Sequence, residues 1–489
     1  MILAIDQGTT GSRAFVFDEG GELRGSAYSE FTQHFPQPGW VEHDAGEIWT
    51  VTEAVCRDAL AAAGVDGTAL TAIGITNQRE TAVAWDRATG EPLCRAIVWQ
   101  DRRTAGRCDA LRDAGHEPLV RERTGLVLDA YFSATKYAWM FEEGGVDARA
   151  PGTAVGTIDS WLAFKLTGEH VTDTSNASRT MLLDLAAGDW DDELCALFGV
   201  PRGVLPEVRP TIGEFGRTSL FGGSVPVAAL VGDQQGALYG QACLERGAAK
   251  NTYGTGNFLL QNAGTTPVLA PGLITTVAWS DADRTTYALE SSIFVAGAAI
   301  QWLRDGLGIL DHASESEALA ASLEGNDGVY FVPALAGLGS PHWDPYARGT
   351  IVGLTRGSGR AHLARAALEA VAYQTADAVA AQSAASGAAL PELRVDGGMI
   401  ENRWLMQFQA DVLGVPVVIP RLADTTVLGA AYMAGVAAGL WSRDTVRAMW
   451  TERDRYEPRM SRDQAQTLLA DWARAVERAR GWAQPGAGA

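Results

Sequence analysis

An aliphatic run, Ile2 to Ile5, ends in Asp6-Gln7-Gly8-Thr9-Thr10-Gly11-Ser12-Arg13, and a second apolar run to Phe17 is broken at Asp18 to Gly21. Short apolar runs bounded by small turn residues read as two strands joined by a tight, glycine-rich turn. The composition of this turn suits a triphosphate. Small residues let backbone N–H groups approach phosphate oxygens, hydroxyls donate further bonds, and a carboxylate at the strand end can hold a hydrated Mg²⁺. Arg13 adds positive charge, and an ordinary polar turn is the alternative reading of the same residues. A second hairpin of this kind, Asn251 to Leu260, turns at Gly254-Thr255-Gly256, and Val395-Asp396-Gly397-Gly398 offers a third glycine-rich strand end. The similarity between the two hairpins is too short to establish a duplication by itself.

Around them strands and helices alternate. Strands are expected at Ala72 to Thr76, Thr81 to Trp85, Ala154 to Thr157, Ala228 to Val231, Tyr287 to Glu290 and Leu393 to Val395. Helices are expected at Ile48 to Ala62, Tyr131 to Glu142, Phe294 to Leu303, His362 to about Ala385 and about Glu401 to Leu413. This is an α/β pattern. A length of 489 residues accommodates two large domains. The boundary is expected near residue 240, giving 1–240 and 241–445, with 446–489 an Arg/Glu-rich helical tail packed on the second domain.

Acidic residues exceed basic ones, 59 against 39, so a nucleic-acid partner, which needs a basic footprint, is not expected. Only three of the basic residues are lysines: Lys136, Lys165 and Lys250. Five scattered cysteines form no C-x-x-C pair, which fits a reducing compartment. Met1 to Ile5 lacks the basic region and apolar length of a signal peptide, and Gly429 to Trp441 is too short to span a membrane, so a cytoplasmic protein is expected. No lysine stands in a Gly-Lys-Ser/Thr context, no G-x-G-x-x-G is present, and no H-x-x-x-H pair occurs. P-loop, Rossmann and zinc-hydrolase readings therefore fall away.

Ten segments carry a resemblance that spacing alone does not supply. They are A-I-D-Q-G-T-T-G-S-R (4–13), P-G-W-V-E-H-D (38–44), G-I-T-N-Q-R-E-T (74–81), I-V-W-Q-D-R-R (97–103), D-A-Y-F-S-A-T-K (129–136), N-A-S-R-T-M-L (176–182), G-D-Q-Q (232–235), N-T-Y-G-T-G (251–256), W-D-P-Y-A-R-G (343–349) and R-V-D-G-G-M-I-E-N (394–402). In this order, from residue 4 to about 440, they resemble the members of the FGGY carbohydrate kinase family that phosphorylate glycerol, within the actin-like ATPase superfamily. The family's two signature stretches match Tyr131 to Glu143 and Gly349 to Glu369.

The resemblance implies two actin-like (ribonuclease H-like) domains, each a mixed sheet flanked by helices, with ATP in the cleft between them. It implies phosphate contacts from Thr9, Thr10, Gly11 and Arg13, with Asp6 at the Mg²⁺. From the second domain Thr255, Gly297, Gln301, Gly398 and Asn402 would complete the ATP site. The glycerol site would be Arg79, Glu80, Trp99, Tyr131, Asp233 and Gln234 with Phe258 beside it, and Asp233 would act as general base; a homo-oligomer, dimer or tetramer, is also implied.

The chemistry of those residues agrees with their assigned roles. A three-carbon polyol needs paired donors and acceptors on one side and an apolar wall on the other. Arg79 with Glu80 can supply the first and Trp99 with Phe258 the second. A surface ion pair, core aromatics and a helix cap are the alternatives for Arg79–Glu80, Trp99 with Phe258, and Asp233.

Gly11 replaces a serine common among relatives, so a hydroxyl contact to phosphate is expected to be lost. Leu220 to Val225 lacks the basic residue through which some relatives bind fructose 1,6-bisphosphate, and no histidine lies between His170 and His312. Neither sugar-phosphate inhibition nor control by histidine phosphorylation is expected. The rival readings are a kinase for erythritol, xylulose or ribulose, and a nucleotide-driven chaperone or filament protein.

Overall fold

The computed structural model describes residues 1–484. Its first sheet begins with β1 (Ile2–Gln7) and β2 (Gly11–Phe17), the expected hairpin, followed by β3 (Leu23–Glu30). Helix α1 (Ala45–Ala63) starts at Asp44, whose side chain accepts from the N–H groups of Gly46 and Glu47, and stops at Gly64 in the left-handed region. Its buried stripe of Ile48, Val55, Cys56, Ala59 and Leu60 lies over β2 and β3. Gly25 permits that approach, since a Cβ there would meet the Ala59 carbonyl at 2.5 Å.

Strands β4 (Ala72–Asn77), β5 (Arg217–Thr218) and β6 (Val225–Gly232) complete six strands in the order β5-β6-β4-β1-β2-β3. Every residue of β4 is buried, as expected for a strand covered on both faces. Helix α2 (Asp233–Gly240) follows β6 directly.

The second sheet is built from β7 (Ala249–Tyr253), β8 (Asn257–Gly264), β9 (Ile274–Ser280) and β10 (Thr285–Ile293). After the long helix α3 (Arg360–Ser386) come β11 (Leu393–Asp396), α4 (Arg403–Leu413), β12 (Val417–Pro420), α5 (Thr425–Ala437), β13 (Glu452–Tyr456) and α6 (Arg462–Ala479). The order is β9-β10-β8-β7-β11-β12-β13.

The echo of the hairpins extends to topology. In each sheet the first hairpin strand pairs antiparallel with the second and parallel with a later strand, β1 with β4 and β7 with β11. One further parallel strand, β6 or β12, then feeds a helix, α2 or α5. The two helices lie between the sheets. Helix α2 packs on β7, β8 and β9 of the second sheet as well as β4 and β6 of the first, α5 packs on β1, β4 and β6 of the first, and the two pack on each other. Glycines let them touch: a Cβ on Gly429 would lie 1.9 Å from the Gly236 carbonyl, and one on Gly240 1.9 Å from that of Thr425.

Two expectations are corrected. The helix read from Phe294 to Leu303 is confined to Gly297–Gln301 and widens into a looser turn at Trp302–Gly306. The tail is not helix throughout, because β13 adds an edge strand to the second sheet ahead of α6. Among the described residues no helix is long and apolar enough to cross a membrane, and all five cysteines are free.

Candidate active site

The chain leaves β4 through Gln78 and turns sharply at Arg79-Glu80, where Glu80 adopts a positive φ of 63°. This unusual backbone turns two adjacent charged side chains into the interior. Arg79 is 3% exposed and Glu80 1%. Nη1 of Arg79 donates to Glu290 Oε2 at 2.5 Å and to Gln235 Oε1 at 3.2 Å. Nη2 donates to Glu290 Oε1 and Tyr131 OH, at 3.3 and 3.4 Å. Nε lies 3.1 Å from Asp233 Oδ1.

A second buried arginine closes the ring, with Arg179 Nε donating to Glu80 Oε1 at 2.6 Å and Nη2 to Glu290 Oε1 at 2.9 Å. Two arginines and two glutamates thus balance their charge out of contact with water. Burial alone would push Glu290 up, but Arg179 and Arg79 outweigh it and hold that carboxyl at about 2. Burial wins at Glu80, which is raised despite the same two cations.

Around this quartet stand the other sequence-predicted polyol residues. The Trp99 and Tyr131 rings meet edge to face at 5.7 Å, and Trp99 Nε1 donates to Thr9 Oγ1 at 3.0 Å, joining the aromatic wall to the first hairpin. Asp233 is the first residue of α2, partly exposed, and besides Arg79 it accepts from the Gln234 N–H at 2.7 Å. Phe258 lies on β8 opposite Thr252 on one side and Ser292 on the other, partly buried against the core around α2.

The expected nucleotide residues fall at two turns. Asp6 is the penultimate residue of β1, directly across from Arg13; burial, with Arg13 opposing and Asp233 and Asp424 near, pushes it up to about 7. Thr9 and Thr10 form the turn, and Arg13 reaches Asp424 Oδ1 at 3.2 Å, an exposed ion pair of small worth. At Gly11 β3 leaves no room for a side chain, since a Cβ would meet Ser29 O and the Tyr28 ring at 2.6 Å. In the second half the Gly297 N–H donates to Gly254 O at 3.0 Å, and the Ala296 and Ala298 N–H groups converge on Thr255 O. Gly397, with φ of 92°, passes so close to Tyr253 that a Cβ would lie 2.4 Å from its carbonyl, which sets Gly398 beside the turn. Gln301 ends its short helix exposed, and Asn402 spends its side-chain oxygen capping α4.

Four residues went unassigned on sequence. Glu290 was only a charged residue in an apolar strand, and Arg179 stood inside a quoted motif without a role. Lys136, fully buried, donates to the carbonyls of Tyr131 and Phe132 and so fixes the loop that carries Tyr131. Lys250 does the like for Gln234 and Phe258. Burial pushes both ammonium groups down to about 8. The rarity of lysine was the signal that could have found them. A cavity of about 350 Å³ lined by Glu22, Arg421, Tyr432 and Trp450 among others includes none of the predicted site residues.

The chain belongs to the FGGY family of carbohydrate kinases, whose N-terminal domain matches residues 1–240 and C-terminal domain residues 249–438. Among curated relatives it is 55% identical to a glycerol kinase of Deinococcus radiodurans, with 98% of each chain covered. It is 54% identical to a glycerol kinase of Bordetella pertussis, covering 100% of this chain and 98% of that one. Its fold matches the crystal structure of Plasmodium falciparum glycerol kinase with ADP at a TM-score of 0.93, 35% identity and 98% coverage of both chains.

Proposed function

We propose that this chain transfers the γ-phosphoryl group of ATP to a terminal hydroxyl of glycerol, giving sn-glycerol 3-phosphate and ADP. The observation that carries the reading is a partly exposed carboxylate, Asp233, at the head of α2, beside a buried arginine held by Glu290 and an aromatic wall tied to a phosphate-type turn. The names of the relatives support the same substrate.

In this reading residues 1–240 carry most of the polyol site, residues 241–445 the adenosine side, and Phe258 and Glu290 cross over to complete the polyol site. Arg79, Glu80 and Gln234 bind hydroxyls, while Trp99, Tyr131 and Phe258 cover the carbon chain. Asp233 accepts the proton of the attacking hydroxyl as its oxygen bonds to the γ-phosphorus and the bond to the β-phosphate oxygen breaks in line. Thr9, Thr10, the Gly11 amide and Arg13 meet the phosphates from one side, Thr255 and Gly297 from the other. Gln301, Gly398 and Asn402 face the adenosine, Asn402 through its amide N–H₂.

Mg²⁺ fits at Asp6. Asp233 and Asp424 both lie near enough to bear on the Asp6 carboxylate, against a single Arg13. Among the described residues no cage of three or more His, Cys, Asp or Glu side chains converges. One carboxylate suffices for an ion that keeps its waters and binds substrate phosphates, where it neutralises charge on the transferring group.

The test is Mg-ATP-dependent ADP release by the purified protein with glycerol, dihydroxyacetone, erythritol, xylulose, ribulose or no acceptor. Glycerol should lead by orders of magnitude in kcat/KM. A silent glycerol arm beside an active sugar would reassign the polyol residues, and turnover only with a protein client would replace the kinase reading.

A further inference from the structure

Lys250 sits on β7 with no exposed surface, its side chain on the face that α2 covers. Its ammonium donates to Gln234 Oε1, to Thr252 Oγ1 at 2.8 Å and to the Phe258 carbonyl at 3.3 Å, so three donors meet three acceptors. No carboxylate touches it. Burying an ammonium among neutral acceptors costs free energy that a hydrophobic side chain would not. In a chain with three lysines among 39 basic residues, a guanidinium is the usual cation. Its planar fork of five donors does not match three acceptors arranged around a single point charge.

We propose that Lys250 is a positioning residue for polyol binding: it fixes the Gln234 amide, and with it the hydrogen-bonding polarity of the site. Lysine has no acceptor, so the end of the amide facing it is the oxygen, and the group left for a ligand is the N–H₂ donor. Gln234 therefore presents a donor immediately beside the Asp233 acceptor, a pairing suited to two neighbouring hydroxyl oxygens. The same ammonium holds the backbone of Phe258, so one cation of the second sheet fixes both a polar contact and a wall of a site otherwise built on the first. This inference rests on the glycerol reading above.

The experiment measures glycerol and ATP kinetics for the unaltered protein, Lys250→Met, Gln234→Met, the double variant and Gln234→Glu, with thermal unfolding of each. Lys250→Met should raise the glycerol KM at least ~10-fold, with the ATP KM within twofold and the change in kcat smaller than that in KM. The double variant should fall well short of the product of the two single effects, because Lys250 acts largely through Gln234. Gln234→Glu guards against a Lys250→Met protein that fails to fold. It sets a carboxylate against the ammonium, so Tm should hold, yet it removes the donor, so the glycerol KM should rise as in Gln234→Met. A glycerol KM within twofold of normal in Lys250→Met or in Gln234→Glu, or single effects that multiply in the double variant, would overturn the inference alone. No glycerol turnover by the unaltered protein would overturn the glycerol reading, and the inference with it.

Discussion

The two halves repeat one strand order but differ in what they place between its strands. Strands β4 and β6 are separated by residues 78–224, whereas β11 and β12 are separated by 397–416. The long first connection delivers Trp99, Tyr131 and Arg179 to the candidate polyol site; the short second one delivers a glycine-rich turn and the capped α4. Two carboxylates at different points of the repeat, Asp396 at the end of β11 and Asp233 after β6, also differ in what they are spent on. In the second half Asp396 is locked by Gln241 Nε2 at 2.9 Å and Thr425 Oγ1 at 2.6 Å, while Asp233 in the first keeps a partly exposed oxygen. The repeated strand order therefore does not decide which carboxylate is free to react. The chemistry follows the inserted segment and the unspent acceptor, not the strand order.

The sharpest break of this comparison is Asp233→Asn. If Asp233 is the reacting carboxylate, kcat should fall by about 10² to 10⁴, the usual worth of a general base, with the ATP KM little changed. A near-normal kcat in steady-state assays would remove it from that role.

Next in size is Glu290→Gln, which tests whether the first half's insert depends on the second sheet. The substitution leaves two buried arginines facing a single glutamate, and loss of one partner from a buried ion pair costs about 3–5 kcal/mol. Denaturant unfolding should report a loss of that order, together with a higher glycerol KM as Arg79 loses its support. The sign with pH follows from a folded-state pKa of about 2 against an ordinary 4.5. The contribution of Glu290 is present above pH 4.5 and is lost as pH falls toward 2, so the gap between the two proteins should narrow in acid. A gap independent of pH would place the effect in packing instead.

What was legible in the sequence divides by range of interaction. Hairpin β1–β2 could be read because apolar runs and a glycine-threonine turn are local signals. Strand β3, with alternating Arg24, Ser26, Tyr28 and Glu30 exposed, and β13, Glu-Arg-Asp-Arg-Tyr, carry little apolar patterning; both are held by backbone pairing to a neighbour that the sequence does not reveal. The helix expected from Phe294 to Leu303 starts three residues later, at Gly297, and its last turn widens at Trp302–Gly306, where the Gly306 backbone packs close enough to the Trp302 ring to put a Cβ 2.7 Å from it. Arg79, Glu80 and Asp233 were found through family motifs. Their partner Glu290 was not, since it meets Arg79 across 211 residues of chain. Gly11 shows the converse: its lost hydroxyl was legible, but the strand that crowds the position was not.

The smallest expected effect concerns what the halves share, the crossing of α2 and α5. With a Gly429 Cβ placed 1.9 Å from the Gly236 carbonyl, Gly429→Ala cannot be absorbed by a flexible side chain, since backbone faces backbone. Overpacking of this kind costs about 1–3 kcal/mol. Gly106→Ala is the control, at a helical position in Ala105–Asp113 where an added Cβ meets nothing within 4 Å. It should hold or raise stability by up to about 1 kcal/mol through helix propensity. Because α5 lies on the first sheet and α2 is wedged between it and β7 and β8 of the second, spreading the helix pair also shifts the two hairpins apart. Gly429→Ala should therefore raise the ATP KM as well as lower stability in denaturant. Equal behaviour of the two variants would mean that the helix pair tolerates a wider spacing, and that the alignment of the halves is set elsewhere, by the Arg79–Glu290 contact.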